Sequence, residues 1–154
     1  MTKSQRKTII TDFLLRQDDV LFVVFFGSFA QEGYERYRDI DVAVFMTEIP
    51  ELLRQGYFIS ELEHLCGCRV DVVILNDLYK TNPLLSQEIV GRHIMIPNMR
   101  IRPVDEVTEC FAGYCVRSLR AFEDTRYLRR LMSEAFTKRL KNHQFAQFDL
   151  VNQD

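Results

Sequence analysis

The stretch that most constrains this chain is residues 20–45, VLFVVFFGSFAQEGYERYRDIDVAVF, where one apolar run breaks at Gly27-Ser28 and a second carries Asp39 and Asp41. Val20–Phe26 is made of Val, Leu and Phe alone. It is far too short for a membrane span and is bounded by glycine, so it reads as a buried strand. Gly27 lets the chain turn sharply. Ser28 is a favoured helix N-cap, and a helix opening there would leave free backbone N–H groups and a positive dipole end facing outward, which is how helix ends hold phosphate. A second strand is expected to begin at Asp39. Residues two apart in a strand share a face, so Ile40, Val42 and Val44 point one way while Asp39 and Asp41 point the other, about 6–7 Å apart at their α-carbons. Strands disfavour aspartate and burying its charge is costly, so a pair on one face calls for a cation or water.

A third acid, Asp71, lies in CRVDVVIL, another short β-rich run with Val70, Val72 and Ile74 on its opposite face. If this strand neighbours the second, three carboxylates converge. Oxygen donors of that kind, together with phosphate oxygens and water, suit Mg²⁺. A plainer reading treats Asp39 and Asp41 as guards on an exposed strand and Asp71 as an incidental surface acid. The joint spacing with Gly27-Ser28 favours the metal reading.

These residues resemble the nucleotidyltransferase superfamily of DNA polymerase beta, and within it the minimal nucleotidyltransferases (MNT) that serve as antitoxins to HEPN-domain ribonucleases. The family pattern of Gly-Ser closing a strand, acid-x-acid on the next and a further acid on a later one is met by Gly27, Ser28, Asp39, Asp41 and Asp71, with Ala30 also matching. The resemblance extends through NPLLSQEIVGR and FEDTRYLRRLMSEAFTKRL, so it covers most of the chain. It departs from the family at Gln31 and Glu32, where Arg-Gly is common, and at Arg38, where Ser is common; glycine follows one residue late at Gly33. Arg36 and Arg38 are then either replacement phosphate contacts or plain surface charge.

The resemblance implies an α/β (α+β) polymerase-beta-like fold, a small mixed sheet flanked by helices. Residues 1–99 would form the nucleotidyltransferase core and 100–154 a C-terminal helical extension of the same domain. It implies Mg²⁺ held by Asp39, Asp41 and Asp71, with Asp71 also accepting a proton, and ATP held at Gly27 and Ser28 with help from Arg36 and Arg38. Its product would be AMP on a tyrosine of a HEPN ribonuclease toxin, which silences the toxin. Two other functions stay open: a catalytically weak or inactive relative that inhibits its partner by stoichiometric contact, and a nucleotidyltransferase acting on a small molecule, for which 154 residues leave little room.

Size and composition agree with one globular domain: 154 residues, 47% hydrophobic and 27% charged. No stretch reaches the roughly 20 apolar residues of a membrane helix and the N-terminus lacks the apolar core of a signal peptide, so a cytoplasmic protein is expected. Cys66, Cys68, Cys110 and Cys115 match no usual zinc or disulfide spacing and read as reduced thiols. The net charge of −2 argues against direct nucleic-acid binding. The charge is uneven, however: residues 1–99 hold 10 Lys and Arg against 14 Asp and Glu, and residues 100–143 hold 10 against 6. The basic tail half is a solvated helix face or a docking surface for an acidic partner or RNA. His64, His93 and His143 are scattered, and Arg139 and His143 stand one residue too close for the Arg-x₄₋₆-His pairing of the toxin, so the chain is not the ribonuclease.

Periodicity supplies the remaining elements. A helix is expected over Lys3–Gln17, and another through Leu65 with a stripe of Leu52, Leu53, Ile59, Leu62 and Leu65, ended by Gly67. As a crossover between the second and third strands, that helix implies parallel pairing. Asn82-Pro83 should open a helix that Gly91 closes, HIMI should form a last strand ending at Pro97, and residues 103–142 should form two helices with a break near Glu123–Thr125. The closing QFDLVNQD reads as a loose tail or a partner-contacting peptide.

Overall fold

A computed structural model describes residues 1–33, 35–91 and 93–142; His143 and the closing peptide lie outside the described residues. The first helix, α1 (Lys3–Leu15), is opened by a reciprocal cap in which Thr2 Oγ1 accepts from the Gln5 N–H (3.1 Å) and Gln5 Oε1 accepts from the Thr2 N–H (2.7 Å). It leads into β1 (Val20–Phe26), the single turn α2 (Gly27–Ala30) and β2 (Ile40–Met46). Then come α3 (Leu52–Cys66), β3 (Val70–Ile74), the short α4 (Leu78–Thr81), α5 (Pro83–Gly91), β4 (Ile94–Pro97), α6 (Val104–Asp124) and α7 (Arg126–Lys141). Gly67 closes α3 in the left-handed conformation (φ 66°), and Thr125 separates the last two helices.

The four strands form one sheet in the order β3-β2-β1-β4. β1 pairs antiparallel with β2 and β4, whereas β2 and β3, joined by the α3 crossover, are parallel. The sheet is therefore mixed and sandwiched between two helical layers. On one face Ile10 and Leu14 of α1 and Phe58, Leu62 and Cys66 of α3 bury Val23, Phe25, Val42 and Val44. On the other, Ile89 of α5 and Val107, Phe111 and Tyr114 of α6 cover Phe22, Val24 and Ala43. With both faces covered, β1 is buried at every position, hence its unbroken apolar sequence. A bulge at Leu21, between the pairs Val20–Met46 and Phe22–Phe45, puts Leu21 and Phe22 on the same face and lets the strand change register without exposing either.

The second layer is fastened by a buried polar cluster: Ser86 Oγ of α5 lies 2.7 Å from both Tyr114 Oη and Ser118 Oγ of α6. Burial pushes the Tyr114 phenol up to about 12, so it stays protonated and hydrogen-bonded at any ordinary pH. The expected stripe on α3 is corrected. Leu52 and Leu53 are each 83% exposed, and the buried row is Phe58, Leu62 and Cys66, at i, i+4 and i+8. Of the first turn, Gln55 reaches the sheet by donating to the Val72 carbonyl of β3 (2.7 Å), while Leu52 and Leu53 face solvent. All four cysteines are free thiols. No helix among the described residues is long and apolar enough to cross a membrane.

Candidate active site

Three acids meet at one end of the sheet. The parallel register sets Asp41 directly beside Asp71, with Ile40–Val70 before and Val42–Val72 after. Both acids are half-buried, on the sheet face that also carries Ala43, Phe45 and Val73. Asp39 is half-buried as well, but it sits in a bend just before β2 rather than inside the strand as expected. The ladder starts one residue later because β3 itself begins at Val70: the Ile40 N–H donates to the Arg69 carbonyl (3.0 Å), and β1 ends its pairing at Phe26–Asp41.

The Gly-Ser turn lies against these acids. Gly27 has φ +70°, and a Cβ placed on it would come within 2.6 Å of Asp41 Oδ2. Glycine is thus required twice, once for the left-handed backbone and once for the approach of the carboxylate. Ser28 is not the helix cap. The extended Phe26 takes that position without a side-chain bond, and Ser28 sits within the single turn of α2. The turn starts one residue earlier because the left-handed Gly27 reverses the chain as soon as the strand ends. The first N–H groups of α2 have no partner within the helix.

Burial raises the affinity of Asp41 for its proton, and the negative charges of Asp71, Asp39 and Glu88 raise it further. Glu88, exposed on α5, was invisible to sequence reasoning: one acid on an amphipathic helix carries no motif, and only the packing of α5 over the sheet brings it to the site. Little opposes this charge. Arg69 Nε is 3.7 Å from Asp71 Oδ1, a loose surface ion pair, and Arg36 and Arg38 are exposed with no hydrogen bond or ion pair among the described residues. The donors are carboxylate oxygens throughout, the chemistry of a hard dication such as Mg²⁺, whose charge would relieve the repulsion on Asp41. As the side chains stand, no group of three His, Cys, Asp or Glu residues among the described residues is placed to hold a metal ion.

Space for a ligand surrounds α2. A cavity of about 490 Å³ is lined by Gly27, Ser28, Gln31, Glu88 and Gly91. A second, of about 330 Å³, shares Gly27 and Gln31 with it and reaches His93. On the far side of α2, α1 contributes Lys3 and Lys7 to a hollow of about 570 Å³, where Lys3 Nζ donates to the Gln31 carbonyl (2.8 Å). Positive charge therefore does approach the position where Gln31 stands, but from α1. Another hollow of similar size, at Met1, Ser4, Gln5, Thr8 and Ile9, contains no acid and no motif residue.

Comparison with known proteins agrees with this layout. Residues 8–99, which hold all four strands, match the family described as Polymerase beta, Nucleotidyltransferase. Among solved structures, the fold is similar to a chain of the tri-AMPylated Shewanella oneidensis HEPN toxin in complex with MNT antitoxin. That match has a TM-score of 0.64 and 18% identity and covers 88% of this chain and 98% of that one. It is also similar to a chain of a toxin–antitoxin complex with AMP-PNP (0.65, 18%, 84% and 97%) and of the MntA–HepT toxin–antitoxin (0.60, 17%, 86% and 96%). No curated protein matches in sequence. With the motif residues gathered at one end of a mixed sheet and the match running through all four strands, the chain belongs to the polymerase beta nucleotidyltransferase family.

Proposed function

We propose that this chain is an antitoxin that transfers AMP from ATP to a tyrosine of a HEPN ribonuclease toxin in the cytoplasm. The observation that carries this reading is the register pairing of Asp41 with Asp71 under the Gly27 turn. It is supported by structural similarity to toxin–antitoxin complexes, one with an AMPylated toxin and one with AMP-PNP. Residues 1–99 are the transferring core and residues 100–154 its C-terminal extension, helical over α6 and α7.

In this reading Asp39, Asp41 and Asp71 hold Mg²⁺, which when bound neutralises the phosphates and polarises the reacting groups. The Gly27 and Ser28 backbone and the Ser28 hydroxyl bind the β- and γ-phosphates in the cavity they line. Arg36 and Arg38 steer the triphosphate from the rim. Asp71 takes the proton of the tyrosine hydroxyl as its oxygen bonds to the α-phosphorus. The bond from that phosphorus to the pyrophosphate oxygen breaks, and pyrophosphate leaves with the electron pair. Incubation of the chain with ATP, Mg²⁺ and its cognate HEPN ribonuclease should add AMP to a toxin tyrosine, detected by mass spectrometry. An unmodified toxin that is nonetheless inhibited would sink the transfer.

A second reading, inhibition by contact alone, draws on Gln31, Glu32 and Glu88, which put neutral or negative side chains around α2 where phosphate must bind. Neutralisation of the toxin by Asp39→Asn at the same dose as the unaltered chain would select it.

A further inference from the structure

The last helix is built for a surface that the described chain does not supply. α7 is 16 residues long and has no buried residue. Even so, Leu128, Leu131 and Met132 are spaced to share one side of it, each between 43% and 71% exposed. The helix is fastened to α6 at its first turn. Thr125 Oγ1 donates to the Ala121 carbonyl (3.0 Å), and the Arg129 guanidinium lies over the Phe122 ring at 3.6 Å while donating to the Phe122 carbonyl. An isolated helix of about this length is marginal in water, and its apolar side is stabilised by being covered.

Charge says what covers it. α7 carries six Lys or Arg against Glu134 alone. Two copies joined through α7 would bring together two helices that each carry six positive charges against one negative, which repel. A nucleic acid would accept the arginines but offers no apolar groove for Leu128, Leu131 and Met132. The combination fits a protein with an apolar groove rimmed by Asp and Glu. We infer that α7 is the docking helix by which this chain grips its HEPN ribonuclease, laying the Leu128–Met132 side into an acid-rimmed apolar groove. The inference rests on the antitoxin reading and adds to it the surface that holds the toxin.

The test is titration calorimetry of the full chain against its cognate HEPN ribonuclease, at low and high salt. Leu128→Glu with Met132→Glu should weaken the complex by on the order of 100-fold. Lys138→Glu with Arg139→Glu, which border that stripe, should weaken it about 10-fold and flatten its salt dependence. Because all four positions are exposed, both variants should keep the helix content and AMP-PNP affinity of the unaltered chain. Unchanged toxin affinity in the apolar variant overturns the docking helix and leaves the antitoxin reading standing. Failure of the unaltered chain to bind the toxin overturns both. A dimer of the chain that the apolar variant splits, or RNA binding that the charge variant abolishes, overturns the assignment of α7 to the toxin.

Discussion

The two ends of the sheet treat their acids in opposite ways. Where β1 begins, Asp19 is held by Arg54 through two hydrogen bonds, 3.0 Å from Nε to Oδ2 and 2.8 Å from Nη2 to Oδ1. The same guanidinium also donates to Gln17 Oε1 and stacks over Phe58 at 4.6 Å. Asn76 there bonds the N–H and carbonyl of Met46, and the buried Asn98 donates to the Val20 carbonyl. Asp19, Asn76 and Asn98 at that end are each held by a hydrogen-bond partner. Where β1 ends, Asp41 has Asp71, Asp39 and Glu88 as its charged neighbours, and each raises its affinity for a proton. The first end is built for stability. The second stores electrostatic repulsion, the arrangement expected where a charged ligand is to be bound.

The largest effect predicted from this contrast is at Asp41. Asp41→Asn should slow AMP transfer by on the order of 10³-fold in a mass-spectrometric time course. It should also raise the melting temperature at neutral pH. The sign follows from the raised proton affinity: above its folded pKa the ionised Asp41 costs stability, and the cost vanishes as pH falls through that pKa to the unfolded value. The gain from Asp41→Asn should therefore fade in acid; a gain independent of pH would show that repulsion is not its source.

Gly27→Ala comes next. A β-carbon at φ +70° and 2.6 Å from Asp41 Oδ2 should destabilise the fold by about 1–3 kcal/mol in urea titrations and displace the carboxylate, lowering transfer as well. At the other end, Arg54→Ala should cost about 1 kcal/mol, since the ion pair is partly exposed, and leave the transfer rate unchanged. Arg54 holds the Asp19 carboxyl below the usual carboxylate range, so this pair stabilises the fold above the unfolded pKa and ceases to do so as pH falls through the folded one. The ion-pair part of the Arg54→Ala loss should disappear on acidification while the packing part persists. The smallest effect is a thermal shift of a few degrees on adding millimolar Mg²⁺ to the unaltered chain, absent in Asp41→Asn. Equal shifts in both proteins would move the cation elsewhere.

Much of this was legible in the sequence because it is encoded locally. Val20–Phe26 reads as a strand from its own residues, Gly67 and Gly91 stop their helices, and the parallel pairing of β2 with β3 follows from one crossover helix of fixed length. The errors came where an element's end depends on its neighbour. Asp39 falls outside β2 because β3 starts too late to pair with it. Leu52 and Leu53 leave the α3 stripe because the helix packs on the sheet through Phe58, Leu62 and Cys66. Ser28 loses the cap to Phe26 because a left-handed glycine begins the turn early.

The sequence by itself determined the strand-turn-strand motif, the acidic residues it carries and where the long helices lie, since backbone conformation and side-chain period depend on residues close in the chain. Tertiary structure alone decided that Asp41 and Asp71 stand side by side, that Glu88 comes in from α5 to join them, and that Leu128, Leu131 and Met132 of α7 stay exposed. Those outcomes depend on strand register and on how layers stack, and both are set by contacts between segments far apart in sequence.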